Sequence, residues 1–491
     1  MNEPGSNSQT VSSVTRSSVG PEVAEADASC RTPLTALFIG TAFWIFVSSV
    51  LALVASIHFH SPGFLADSAW LGYGRLQPAS HESLLYGCCL QASLGIGLWL
   101  FARLGRTTLS LPWLATAGAG FLNVGVAIGV GGILNGDRTG FPSVDMPGYA
   151  APVLLIGYLL VGLSSAMTFH RRTEHTLFAT QWFLLAALFW FPWIYTTGQL
   201  FLVQFPARGV AQAVIACWYA NNFQNVYLWL TGLGAVFYFI PKLTGNDLHS
   251  RYLALLTFWI ILLFASWGGI SASAPAPAWM AALSMAATAV NLVTLAAVGL
   301  SAYRTAQPVP RHGPSVLPLR FVLFGVVAFL GAGLMQIVGA LPYLSEFTDL
   351  TWFGAAREQL NVLGFFAMVA FGAIYFIVPR LAGFDCLCPK GARAHFWLSA
   401  VGIVLAVLPA LVAGLVEGLR MRNPDLGFVA ISQGTLHLLR VSTLGLCLIA
   451  LGQGFFLINL VLHVIRSWRQ CAVTTYSTVT ADLFKPAGVK S

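Results

Sequence analysis

The segment 74–81 reads Gly-Arg-Leu-Gln-Pro-Ala-Ser-His and ends on a histidine at the mouth of a long apolar stretch. A neutral imidazole is the usual nitrogen ligand of haem iron, so His81 is a candidate metal ligand. The alternative is an interfacial histidine that hydrogen-bonds to backbone or water. His437, at the start of the last apolar stretch, is a candidate axial partner on the same side, and His58 and His60 are more remote ones.

Four amide side chains interrupt another apolar stretch: Asn221, Asn222, Gln224 and Asn225. Buried amides are costly in lipid unless they are hydrogen-bonded. Two explanations fit this cluster equally well. The amides either build a hydrogen-bond network inside a polar site or hold neighbouring helices together.

Charged side chains gather before a further apolar stretch, where Arg357 and Glu358 follow Glu346 and Asp349. We expect either an ion-pair cluster or a solvated rim at this place. The eight cysteines show no spacing typical of a metal site. The chain contains no Cys-x-x-Cys-His motif, so no covalently attached c-type haem is expected.

The elements that must position these residues are membrane helices. Of 491 residues, 57% are hydrophobic and 9% are charged, against about 25% charged in a soluble domain. Apolar runs of about 20 residues cross the hydrocarbon core of a bilayer as helices. We predict an all-α membrane protein, a bundle of twelve transmembrane helices near residues 34–57, 80–103, 111–134, 149–169, 177–203, 210–240, 252–270, 276–302, 318–344, 359–379, 394–418 and 433–464.

The distribution of positive charge predicts the orientation of this bundle. With the N-terminus inside, most of the 25 Lys and Arg residues fall in cytoplasmic segments, so both termini are expected in the cytoplasm. The net charge of +8 is then a topology signal, and no basic patch with interleaved aromatic residues indicates nucleic acid. We expect a disordered cytoplasmic tail at 1–32, the membrane domain at 33–465 and a cytoplasmic tail at 466–491.

Several motifs resemble subunit I of the haem–copper oxidases, most closely the C-type branch of the cytochrome c oxidases, with the nitric oxide reductases as relatives. The likeness covers roughly residues 34–465. It rests on the His81 motif and on these runs: Gln-Trp-Phe-Leu-Leu-Ala-Ala at 181–187, Cys-Trp-Tyr at 217–219, Phe-Tyr-Phe-Ile-Pro-Lys at 237–242, Trp-Gly-Gly at 267–269 and Gly-Phe-Phe-Ala-Met-Val-Ala-Phe-Gly-Ala-Ile-Tyr at 364–375.

The resemblance implies two haem positions in this chain. His81 matches the low-spin haem ligand, whose partner position holds Gln359, and the high-spin ligand position holds Arg357. Arg440 resembles a family arginine near the haem propionates. A guanidinium has no lone pair for a metal, and an amide is a poor haem ligand. The resemblance therefore implies one b-type haem at most.

The resemblance also implies a copper site, whose three histidine positions hold Asn221, Ser271 and Ala272. The position of the cross-linked tyrosine holds Ala265. A shifted alignment does not restore the ligands, because residues 176–248 and 313–394 contain no histidine. No copper is expected on this chain.

Two classes of function follow from this resemblance. One is a degenerate subunit I that acts as a structural or electron-transfer subunit of an aerobic respiratory chain. The other is an active terminal oxidase that transfers electrons from cytochrome c to oxygen with proton uptake. Either class implies a multi-pass protein of the bacterial inner membrane, surrounded by lipid, with other respiratory membrane subunits and a cytochrome c as partners.

Overall fold

The computed structural model describes residues 21–65, 67–271, 274–310, 313, 315–383 and 388–483. In these ranges the chain forms a bundle of helices and no strand. The helices are α1 Pro21–His60, α2 Tyr73–Leu104, α3 Pro112–Asn135, α4 Ala151–His170, α5 Ala179–Gln204, α6 Val210–Thr244, α7 Arg251–Trp267, α8 Ala278–Ala306, α9 Val316–Ala340, α10 Trp352–Ala382, α11 Pro389–Met421 and α12 Phe428–Leu483. The short helix Pro342–Thr348 precedes α10.

The predicted all-α membrane bundle is confirmed. Over the described residues, eleven helices are long and apolar enough to cross a membrane. The remaining one, α7, is a shorter apolar helix, and its last turn is a 3₁₀ turn at Ala265–Trp267. Two glycines and two nearby prolines follow this turn in the sequence, and such residues end helices. The span predicted at 252–270 is therefore shorter than expected.

Three helices form the centre of the bundle. In the most apolar windows of α2, α6 and α10, 94%, 83% and 78% of the residues are buried, whereas 39–50% are buried in the other spanning helices. Helices α6 and α10 approach each other closely at Gly232. This glycine has no side chain and so leaves room for the ring of Phe365. The central helices carry the candidate residues His81, Asn221 and Gln359.

Each central helix contains a π-helical segment that begins within two residues of a candidate residue. The segments are Ser83–Leu90 in α2, Asn222–Tyr227 in α6 and Leu360–Ala367 in α10. A π segment widens the helix and turns the following side chains relative to a regular α-helix. Such segments occur frequently at functional sites.

Both terminal helices extend into segments that the sequence favours as tails. Helix α1 begins at Pro21, inside the segment 1–32, because Asp27 accepts hydrogen bonds from Trp99 Nε1 at 2.9 Å and from Arg103 at 3.3 Å. Helix α12 continues past residue 465 to Leu483. The predicted tail residues 1–20 and 484–491 lie outside the described residues.

Helix α11 holds the first turn of α10 and the short helix Pro342–Thr348 before it in place. A side chain at position 414 would collide with the backbone of Phe353, and one at position 418 would collide with the backbone of Phe347, so both positions require glycine. Glu417, between these glycines, accepts a hydrogen bond from the Trp352 backbone N–H at 3.3 Å. This close approach fixes the position at which α10 presents Arg357, Glu358 and Gln359.

Candidate functional site

His81 lies at the start of the third turn of α2. The turns before it contain Pro78 and are held by contacts of Arg75 and Arg138. Pro78 lies in the second turn, inside the helix, where it offers no N–H to the Gly74 carbonyl. Arg75 donates to the Leu134 carbonyl at 3.0 Å, and Arg138 donates to the Gly74 carbonyl at 2.7 Å. These bonds tie the first turn of α2 to α3 and to the loop that follows it. These bonds hold the backbone of the turn that precedes His81.

The imidazole of His81 bonds to a carboxylate of α10. Its Nε2 atom lies 2.5 Å from Oε1 of Glu358, and the same oxygen accepts a hydrogen bond from Gln224 Nε2 at 2.8 Å. We name these three residues the His81 cluster. It joins α2, α6 and α10 at the centre of the bundle. Gln224 is buried, whereas 19% of the His81 side chain and 33% of the Glu358 side chain are exposed.

A second carboxyl group faces the other ring nitrogen. Glu82 Oε1 lies 3.7 Å from His81 Nδ1 and accepts a hydrogen bond from the Asp145 backbone N–H at 3.3 Å. Glu82 is fully buried, and its Oε2 atom has no hydrogen-bond partner in the described part of the chain. An ionisable side chain at membrane depth is expensive and usually functional. Sequence reasoning missed Glu82, although a carboxyl inside an apolar span was the signal for it.

The loop between α3 and α4 closes this end of the site. Arg138 Nε lies 3.4 Å from Asp145 Oδ1, and the Gly140 N–H donates to the same oxygen at 3.1 Å. Burial raises the pKa of the Asp145 carboxyl, while Arg138 and the Gly140 N–H oppose that rise. The Asp145 carboxylate is therefore held in this loop by its ion pair with Arg138.

The amide cluster of α6 forms a hydrogen-bond network that crosses three helices. Asn221 Nδ2 donates to the Ala265 carbonyl of α7 at 2.8 Å, and Asn225 Nδ2 donates to Asn221 Oδ1 at 2.9 Å. Asn361 of α10 donates to Asn225 Oδ1 at 3.2 Å and accepts from Trp229 Nε1 at 2.9 Å. We name Asn221, Asn225, Asn361 and Trp229 the amide network. Its members are buried, and the network joins α6 to α7 and α10.

Asn222 belongs to a separate contact on the other side of α6. Its Nδ2 atom donates to the Ser266 carbonyl at 3.1 Å, and its Oδ1 atom accepts from Trp190 Nε1 at 3.2 Å. Asn222 therefore joins α6 to α5 and α7. It acts as a helix–helix contact outside the amide network.

The remaining predicted metal positions are only partly assembled. Ser271 donates to Asp349 through its hydroxyl, and Ala272 lies outside the described residues. Arg357 is half-buried beside Glu358, and Gln359 Oε1 is buried without a hydrogen-bond partner in the described ranges. The expected ion-pair cluster of Arg357 and Glu358 with Glu346 takes another form, because Glu358 bonds to His81 and Glu346 is exposed.

The histidines proposed as partners of His81 lie elsewhere. His437 and Arg440 are exposed on α12, and no hydrogen bond between described residues joins either to the His81 cluster. His60 Nε2 bonds to Thr443 Oγ1 of α12 at 3.0 Å. His58 is buried against Phe64.

The donor chemistry of the amide network does not fit copper. Asn221 donates an amide N–H to Ala265, and its oxygen accepts a hydrogen bond from Asn225. Amide oxygens are hard ligands, whereas copper favours imidazole and sulfur. Nowhere in the described ranges do three His, Cys, Asp or Glu side chains gather as a metal site requires.

Comparison with known proteins identifies the scaffold. The family "Cytochrome C and Quinol oxidase polypeptide I" matches residues 32–448. A cytochrome c oxidase subunit 1 homolog of Azorhizobium caulinodans is 25% identical over 79% of this chain and 73% of its own length. The cbb3-type cytochrome c oxidase subunit CcoN1 of Stutzerimonas stutzeri is 23% identical over 87% of this chain and 92% of its own. A heme-copper terminal oxidase dimer matches with a TM-score of 0.64 at 15% identity, over 87% of this chain and 84% of that chain.

Proposed function

Because the chain belongs to the cytochrome c and quinol oxidase polypeptide I family, we propose that it is a degenerate subunit I. In this proposal it serves a bacterial aerobic respiratory chain as a structural or electron-transfer subunit. It carries no copper site and one b-type haem at most. Its partners are other membrane subunits of a respiratory complex, and a cytochrome c where electrons pass through it.

The amide network carries this proposal. It includes Asn221, one of the three positions at which the family resemblance implies a copper histidine, and Asn221 donates to the carbonyl of Ala265, the position of the implied tyrosine. Asn225 and Asn361 continue the network. Oxygen reduction at a binuclear centre requires protein ligands that hold both metals, together with the outer groups that orient those ligands. A closed network of amides supplies neither, so fold membership does not carry the activity with it.

The haem side of the site offers one imidazole. His81 is the residue that would hold a haem iron, and Arg440 is the candidate for a propionate contact. The partner position holds Gln359, whose buried carboxamide oxygen is a poor ligand beside an imidazole. The position for a second haem holds Arg357, whose guanidinium cannot bind iron. These side chains support one haem as the upper limit.

The apolar helices, the relatives and the charge bias together support a location and an orientation in the membrane. Eleven apolar helices among the described residues support a multi-pass protein, and the relatives are bacterial oxidase subunits, which favours the inner membrane. The bias of Lys and Arg toward one set of loops favours both termini in the cytoplasm. In that orientation the His81 end of α2 faces the periplasm.

Oxygen consumption tests the proposed function. The purified chain, supplied with reduced cytochrome c, should show no cyanide-sensitive uptake of oxygen and no reduction of nitric oxide. An active cbb3-type oxidase, prepared in the same detergent, is the positive control. Cyanide-sensitive uptake by the isolated chain would contradict the proposal and support an active terminal oxidase.

A further inference from the structure

The His81 cluster leaves the Nε2 atom of His81 unavailable to a metal. Nε2 lies 2.5 Å from Glu358 Oε1, within hydrogen-bond distance, and Nδ1 faces Glu82 Oε1 at 3.7 Å. If Nε2 carries a proton, it has no lone pair to give to iron. If Nε2 accepts a proton from the carboxyl group, its lone pair is already engaged. For Nε2 the conclusion therefore holds for either tautomer.

The acceptor oxygen of Glu358 is fixed from two sides. Gln224 donates to it from α6 at 2.8 Å, while His81 approaches from α2. The Arg357 guanidinium next to Glu358 adds an electrostatic attraction. Glu358 is thus held in place by residues that are 277 and 134 positions away in the sequence.

The same helical turn of α10 contains position 359, where the family resemblance implies the partner ligand of a haem bound to His81. Gln359 follows Glu358 directly, and its side-chain oxygen is buried without a hydrogen-bond partner in the described part of the chain. A haem at His81 would have to displace Glu358 and would then find a carboxamide in place of a second imidazole. Both residues oppose haem binding for separate reasons.

We propose that Glu358 binds His81 in place of a haem, so that the His81 cluster fastens α2, α6 and α10 together and keeps His81 from serving as an iron ligand. The proposal deepens the proposed function, on which it rests for the oxidase-like arrangement of these helices. It assigns to Glu358 a positioning role that replaces a cofactor with a protein contact. Removing the carboxylate and supplying an imidazole at 359 should then restore a haem site.

Titration of the purified full chain with haemin tests this. The variants are His81→Ala alone, Glu358→Val with Gln359→His, the same pair with His81→Ala, and the matched control His175→Ala, which changes an exposed histidine. We expect no His81-dependent Soret band in the wild type. The paired variant should gain a Soret band and the sharp bands of a low-spin haem on reduction, and His81→Ala should abolish both.

Two results would overturn the proposal. One is a Soret band in the wild type that is lost in His81→Ala and kept in His175→Ala. The other is a folded paired variant, judged by gel filtration and thermal unfolding, that binds no haem. If Glu358→Val lowers the yield of folded protein, Glu358→Met in the Gln359→His background decides the question, because its unbranched side chain is close to glutamate in length and still removes the hydrogen bond to His81. Copper content, measured on the same samples, reports separately on the proposed function.

Discussion

Removal of the Glu358 carboxylate should destabilise the bundle more than removal of an exposed side chain. Glu358→Ala takes the acceptor away from both His81 and Gln224. Hydrogen bonds to charged groups contribute about 1.5–3 kcal/mol each, so the two together give about 3–6 kcal/mol. One third of the Glu358 side chain is exposed, so water can replace part of the loss, and we expect about 2–4 kcal/mol.

A double-mutant cycle isolates the contact between His81 and Glu358. His81→Ala alone leaves Glu358 bonded to Gln224, and the double variant removes both groups, so the single losses should not add. We expect a coupling energy of about 1.5–3 kcal/mol, above the average of about 0.6 kcal/mol for hydrogen bonds within membrane proteins. The assay is unfolding in mixed micelles with increasing dodecyl sulfate, followed by circular dichroism.

The outcome depends on additivity. His437→Ala is the control and should change the free energy of unfolding by about 0.5 kcal/mol at most, since it lies on the surface. Additive losses for His81→Ala and Glu358→Ala, within experimental error, would refute the reasoning. They would mean that the imidazole and the carboxylate do not stabilise one another.

Three further predictions concern packing, the amide network and topology. Gly445→Ala should destabilise the α11–α12 contact by about 1–3 kcal/mol, because a Cβ there meets backbone atoms of α11. Gly120→Ala, with open space around it, should be neutral or stabilising in the same unfolding assay. Asn361→Ala strands a tryptophan N–H group and should cost about 1–3 kcal/mol by that assay. A periplasm-active reporter should give signal when fused near residue 140 and none near residue 310.

Each of these has a contradicting outcome. Equal effects of the two glycine variants would mean that close backbone approach does not hold α11 against α12. An unchanged free energy of unfolding for the Asn361 variant would mean that water or a neighbour replaces its bonds. A reversed reporter pattern would place the His81 end of α2 in the cytoplasm.

Much of the architecture could be predicted from the sequence because membrane helices are specified locally. Apolar runs of sufficient length gave the helices in their correct order, and helix α7 was the exception because glycine and proline end it early. The position of His81 at the start of α2 also follows from a local motif. The tails were less predictable. The first turns of α1 contain Asp27, whose carboxylate accepts hydrogen bonds from residues of α2 more than 70 positions away.

The contacts within the site could not be predicted in the same way. Glu358 was recognised as a rare charge, but its partner His81 lies 277 positions earlier, and a single sequence gives no information on that pairing. Asn361 was missed because one amide in an apolar run carries little signal. The π segments in α2, α6 and α10 also turn the side chains that follow them, which a regular helical periodicity does not anticipate.

The copper content of the purified chain tests the central claim most directly. Protein purified after growth with ample copper should contain far less than one copper per chain, and Asn221→Ala should leave that amount unchanged, because the Asn221 amide is engaged with Ala265 and Asn225. About one copper per chain, lost in Asn221→Ala, would contradict the account, because it would show that Asn221 takes part in binding a copper ion.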